Sequence, residues 1–352
     1  EQLIMTSLNY NIVSHHKIQP ENKDKLCSRA KLDTGTHCNY DCEFCYYGEQ
    51  LHIRTDTDVI KKRIDYLWDT GMEEIDFSGG ESSIHKDFFE LIQYTKDKGF
   101  SNISTLSNGH KFSKIDFMRK AYDAGLTEIL FSVHGANGSI HDKIVRRSGA
   151  FNRIIKAINL CREVGIKVRI NTTVTMENFT ALSEFSTLIQ SLDADVFEVN
   201  YLPLNHWDDA KTQIPLDYNV VCTEIKKSID ILKSAVKIIN VRYTPYCYMG
   251  GYEKYVCSTY QHIWDVYDWN IGVYDHSVDP QVYKKDPLKH LLKVAKENRN
   301  QTYMKPKSCM GCKYFFICDG IETENNSTLP LAIKGELIYN PIHYRKGYYE
   351  SI

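Results

Sequence analysis

Three cysteines at C-x3-C-x2-C spacing, Cys38, Cys42 and Cys45, fall in one short run, Cys38-Asn39-Tyr40-Asp41-Cys42-Glu43-Phe44-Cys45. This spacing lets three thiolates converge from a single loop, and soft thiolates select iron–sulfur, zinc or copper(I). Three ligands leave one position of a four-ligand site open. A structural zinc would need a fourth Cys or His, and His37, directly beside Cys38, is awkwardly placed to serve. Disulfide pairing would leave one of the three over. A second run lies near the end of the chain: Cys309, Cys312 and Cys318, spaced C-x2-C-x5-C, for which a zinc knuckle is the generic reading.

Around the first run the pattern predicts alternating strands and helices. Strands are expected over 29–33, 74–77, 102–106, 128–133, 167–174 and 196–201, with helices over 58–70, 88–96, 114–124, 151–164 and 181–192. Six strand–helix units indicate an α/β fold with right-handed parallel crossovers, too few for a closed eight-fold barrel. The expected architecture is therefore a partial (β/α)6 TIM-like barrel over 27–203, with 1–26 as a lead-in. A connecting helix and strand over 204–244 follow, then a C-terminal cysteine-rich extension over 245–352. Barrels of this kind carry their chemistry at the C-terminal ends of the strands. Ser78-Gly79-Gly80-Glu81, Ser107-Asn108-Gly109, His134-Gly135 and Asn200-Tyr201 all stand at such ends.

The chain has 352 residues, 42% hydrophobic content and a formal net charge of −2, which provides for a sizeable core and gives no footprint for nucleic acid or anionic membrane. No stretch approaches the ~20 apolar residues of a membrane span. Eleven cysteines without a secretory signal read as metal ligands and buried thiols, so a reducing cytoplasm is the expected compartment. Cys27, Cys161 and Cys222 read as the buried thiols.

With its aromatic Phe44 before the third cysteine, the first run resembles the loop of the radical S-adenosylmethionine (SAM) superfamily. The resemblance implies a [4Fe-4S] cluster on Cys38, Cys42 and Cys45, with S-adenosylmethionine chelating the fourth iron. It also implies that Gly79, Gly80 and Glu81 contact the cosubstrate's amino group, although an ordinary strand-to-helix turn would look the same. Ser107 and Asn108 would serve its ribose or carboxylate. Arg169 and Asn171 share one strand face and would meet the ligand's carboxylate, with a structural ion pair as the alternative for Arg169. Asn200 is a further ligand candidate, and His134 and Tyr201 are catalytic candidates facing the substrate, with a satisfied core histidine as the alternative for His134.

The tail resembles the SPASM/twitch extension of the same superfamily, which carries auxiliary [4Fe-4S] clusters. Cys257 and Gly272 fit the spacing of that extension's first motif, but Ser277 stands where its next cysteine is expected and Glu322 where a later one is. Five cysteines cannot complete two four-thiolate clusters, so one auxiliary cluster is expected on Cys309, Cys312 and Cys318. Cys257 is preferred over Cys247 as its fourth ligand. The resemblance implies reductive cleavage of S-adenosylmethionine and hydrogen abstraction from a substrate, supplied with electrons by a donor such as flavodoxin or ferredoxin. The 26 residues before the first strand are short for a leader-peptide-binding domain. They tilt the expectation to a sugar, nucleoside or antibiotic precursor, with peptide maturation as the alternative. A rival from another class is a non-catalytic zinc-binding interaction protein.

Overall fold

Apolar and polar side chains alternate along most strands of the core, and both sets are largely buried. The computed structural model describes residues 27–45, 47–48, 51–203, 217–257, 271–273, 303–322 and 330–338. The strands are β1 (Arg29–Asp33), β2 (Glu74–Ser78), β3 (Asn102–Ser107), β4 (Glu128–Ser132), β5 (Lys167–Val174) and β6 (Val196–Pro203). Ala30, Leu32, Ile75, Phe77, Ile129, Phe131, Val168 and Ile170 pack against the helical layer as one apolar core. Their neighbours in sequence, Arg29, Asp76, Glu128 and Arg169, bury polar side chains on the opposite face.

The helices are α1 (Thr57–Asp69), α2 (Phe88–Lys98), α3 (Ile115–Ala124), α4 (Gly138–Ile144), α5 (Ala150–Val164), α6 (Leu182–Ser191) and α7 (Tyr218–Leu232). Five of the first six stand where the apolar periodicity predicts them. The exception is α4, whose seven residues are too few to register as a period; its start is capped by the Asn137 side chain, which accepts from Ile140 N at 3.2 Å.

Every strand of the main sheet pairs parallel with its neighbour, in the order β8-β7-β6-β5-β4-β3-β2-β1-β9. The fold is thus α/β, a curled partial barrel open between β8 and β9. The alternation does not stop at Pro203: α7 leads into β7 (Ile238–Arg242), which pairs with β6 as a seventh unit. Short β8 (Val256–Cys257) and β9 (Ile271–Val273) form the two edges. A separate antiparallel pair, β10 (Tyr303–Met304) and β11 (Ile321–Glu322), brackets the C-terminal cysteine run. Among the described residues, no helix is long and apolar enough to cross a membrane.

The polar face is held by buried ion pairs. Arg29 reaches Glu74 at 2.6 Å, Glu128 at 2.7 Å and Asp76 at 2.9 Å. Arg169 reaches Glu128 at 2.5 Å, Asp76 at 2.9 Å and Glu198 at 3.9 Å. Burial works against the charge on Arg169, but Asp76 and Glu128 outweigh it and hold its pKa above the ordinary value. Removing one partner of such a network strands the others without compensation. Arg169→Leu should therefore lower stability by about 3–5 kcal/mol, read as a shift of the urea unfolding midpoint at unchanged slope.

Candidate active site and second cysteine site

The cysteine loop follows β1 directly, and its entry is stitched to the end of β2. Gly80 N donates to Gly35 O and Glu81 N to His37 O, both at 2.9 Å. The two glycines are required by this contact. A Cβ on Gly79 would stand 2.1 Å from Gly35 O, and one on Gly80 would stand 2.2 Å from His37 O. Gly79 also has φ +111°, a conformation that favours glycine. The close approach expected toward a ligand is thus an approach of backbone to backbone, which fixes the turn against the loop that holds Cys38.

Glu81 is 3% exposed, and its carboxylate is gripped from the third strand. Ser107 Oγ donates to it at 2.8 Å and Asn108 N at 2.7 Å, with Ser83 Oγ as a third donor. Burial raises its pKa, and these hydrogen bonds pull the other way. Asn108 Nδ2 in turn donates to Asn39 Oδ1 at 2.8 Å, which ties this cluster back into the cysteine loop. The structure therefore brings Gly79, Gly80, Glu81, Ser107 and Asn108 together beside Cys38. The supporting residues Ser83 and Asn39 carry no spacing signal that would have singled them out.

Cys38, Cys42 and Cys45 are each half-buried, and none is in a disulfide. Burial, and then the Glu81 carboxylate, pushes Cys38 up to about 12. Burial also pushes Cys42 up, reinforced by Cys38 and Cys45. Thiols gathered this closely need a cationic group before they ionise together, and this suits a metal cluster. Among the described residues, no group of three or more His, Cys, Asp or Glu is arranged to hold a metal ion.

The remaining candidates divide by strand face. Ser132, Asn171, Asn200 and Asn240 are register partners across β4, β5, β6 and β7. Asn200 Nδ2 donates to Glu198 Oε1 at 2.7 Å and Asn240 Nδ2 to Asn200 Oδ1 at 2.9 Å, while Asn171 is half-buried. Asn240 is a member of this row that the sequence reading missed, although it alternates with apolar Ile239 and Val241.

Arg169 and His134 take the alternative places raised from sequence, and Tyr201 departs from expectation. The carboxylate partners of Arg169 are the protein's own Asp76, Glu128 and Glu198, because it lies one register step below the amide row, level with Glu198. Tyr201 packs in the helical layer, where its hydroxyl shares hydrogen bonds with Ser228 at 2.6 Å and Ser186 at 3.4 Å; it does not face the substrate side. Burial, against those two bonds, pushes it up to about 12. His134 is 2% exposed, and its Nδ1 accepts from Thr173 N at 3.1 Å. Burial and the neighbouring His141 hold its pKa well below the usual value, so it is a neutral core histidine. Its contact with the site is through Phe44, whose ring meets it edge-on at 4.7 Å.

At the C-terminal run, Cys247 joins Cys309, Cys312 and Cys318 around one cavity, with Lys305 in its wall. Burial, and then Cys318, Cys309 and Cys312, pushes Cys247 up to about 12. The Tyr246 and Tyr314 rings stack at 4.4 Å and 8°, pinning the turn that carries Cys247 onto the cysteine run. Cys257, the preferred fourth ligand from sequence, is instead on edge strand β8, where its Sγ accepts from Arg242 at 3.7 Å. Gly272 lies on β9, the other edge of the sheet, and Ser277 lies outside the described residues.

A family model described as the Radical SAM superfamily matches residues 32–188. The AdoMet-dependent heme synthase of Methanosarcina barkeri is 29% identical over 185 residues, 51% of this chain and 52% of that protein. The antilisterial bacteriocin subtilosin biosynthesis protein AlbA of Bacillus subtilis is 26% identical over 197 residues, 54% of this chain and 44% of that protein. The chain thus spans about half the length of the curated relatives it matches. Among solved structures, native anSMEcpe with bound AdoMet and Kp18Cys peptide superposes with a TM-score of 0.57 at 14% identity. That match covers 92% of this chain and 95% of that one, and bears on the fold alone. With its three-cysteine loop and curled parallel sheet, the segment 32–188 is a radical SAM domain.

Proposed function

We propose that this protein reductively cleaves S-adenosylmethionine and uses the resulting radical to take a hydrogen atom from a substrate carbon. The observation that carries this reading is the direct joining of the Gly79-Gly80-Glu81 turn to the loop of Cys38, Cys42 and Cys45. Those three thiolates would hold a [4Fe-4S] cluster, which when bound supplies the electron that breaks the sulfonium C–S bond. The chain's own residues do the rest. Glu81, held by Ser107 and Asn108, offers a carboxylate to the cosubstrate's ammonium group. Phe44, seated on His134, offers an aromatic edge to its purine. The half-buried Asn171, in the amide row, is the free polar group for its carboxylate or for the substrate.

A small molecule is the first reading for the substrate. A peptide is the second, favoured by the 26% identity over 54% of this chain to a bacteriocin biosynthesis protein. For the tail we propose an auxiliary iron–sulfur cluster held by Cys247, Cys309, Cys312 and Cys318, the four thiols that share one cavity.

Replacing Cys38, Cys42 and Cys45 together by Ala should abolish 5′-deoxyadenosine formation while iron remains at the tail; continued formation would overturn the assignment. Glu81→Gln should weaken S-adenosylmethionine binding by about 1.5–3 kcal/mol, read by calorimetry, since a charge-assisted hydrogen bond is lost. For the tail, Cys247→Ala should cut iron by about four per chain, whereas Cys257→Ala should leave iron content unchanged. The reverse result would return the fourth position to Cys257.

A further inference from the structure

Tyr40, in the middle of the cysteine loop, is where three chain segments meet. Its ring faces His110 edge-on at 6.0 Å, and its hydroxyl accepts from Arg153 Nε at 3.5 Å. It packs on Val145 and Ala150, and Cys38 and Cys42 pack against the same small cluster. Beside it, Arg146 stands 3.6 Å from Asp41. Both flanking segments are rich in positive charge. Residues 142–153 hold Lys143, Arg146, Arg147 and Arg153 against a single acid, Asp142, whose carboxylate accepts from Gly149 N at 2.5 Å and Phe151 N at 2.8 Å. Residues 110–120 hold Lys111, Lys114, Arg119 and Lys120 against a single acid, Asp116.

The two segments share one field. Burial lowers the pKa of His110, and Arg153, Arg147, Lys111 and Lys114 lower it further, so all four cations act at one place beside the loop. Lys143 is paired with Glu177 at 2.5 Å and Arg146 is near Asp41. Arg147 and Lys114 are exposed and meet no carboxylate among the described residues. A chain with net charge −2 therefore gathers an excess of positive charge around the loop of the first cysteine site. Exposed side chains on two separate segments form a broad surface rather than an enclosed anion pocket, and such a surface suits a protein face.

We propose that this rim is the docking surface of an acidic one-electron carrier protein that reduces the group held by Cys38, Cys42 and Cys45. The inference rests on the function proposed above. One electron leaves the carrier and enters the site, the carrier is oxidised by one electron, and no group or proton is transferred. Opposite charge steers the encounter and sets the approach over the loop that covers the acceptor.

The test is a charge-reversed pair, Arg147→Glu with Lys114→Glu, in the cluster-loaded full chain. Formation of 5′-deoxyadenosine is measured with dithionite and, separately, with reduced flavodoxin as the acidic probe. The dithionite rate should be unchanged, while the flavodoxin rate should fall at least ~10-fold at low salt. The wild-type flavodoxin rate should itself fall as ionic strength rises past ~0.15 M. An equal flavodoxin rate in variant and wild type overturns the proposal. Equal loss with both reductants overturns it as well, because the two side chains would then serve the site itself. No product from the wild type with dithionite would instead overturn the function on which the proposal rests.

Discussion

Two buried arginines govern the interior of this barrel. Arg29 on β1 and Arg169 on β5 share the carboxylates of Asp76 and Glu128, so four strands meet at one charge cluster. Each of these side chains would be costly to bury alone, and each is satisfied only when the sheet curls enough to bring β1, β2, β4 and β5 within reach of one another. A flat sheet would leave Arg29 and Arg169 apart. The network thus couples curvature to charge satisfaction and fills the interior below the amide row. Chemistry is left to the strand ends above it, where the cysteine loop and the Gly79-Gly80 turn are joined.

Much of this was legible in the sequence because it depended on local pattern. The strands at 29–33 and 167–174 fall on their predicted residues, since apolar alternation and flanking turn residues delimit them without outside help. The triplet Cys38, Cys42 and Cys45 and the turn at Gly79-Gly80-Glu81 were legible for the same reason. What failed depended on which face a residue took or on contacts distant in sequence. Asn200 and Tyr201 are neighbours, yet one faces the interior amides and the other the Ser186 and Ser228 hydroxyls of the helical layer. A single step of strand parity separates a ligand candidate from a core residue. Arg169 was legible as a buried cation needing an anion, but sequence alone could not say that Asp76, 93 residues away, supplies it. The sequence could not say that Gly79 and Gly80 closely approach the backbone of Gly35 and His37.

The tail shows the same limit with a different consequence. Spacing favoured Cys257, but the stacked rings of Tyr246 and Tyr314 bring the neighbouring Cys247 to the C-terminal run. Tyr246 and Tyr314 are both about 1% exposed, so this junction is core packing and shares the apolar core of the barrel. On the reading proposed for the tail, four protein thiolates fill all four ligand positions of its cluster. A site closed in this way has no open position at which to bind substrate, just as closed zinc sites are structural and open ones catalytic. Such a cluster would supply electron transfer or structural support, and Lys305, in the wall of the same cavity, would set a positive charge beside it. On that proposal, a tail cluster that accepted the electron of the product radical would make the net reaction an oxidation.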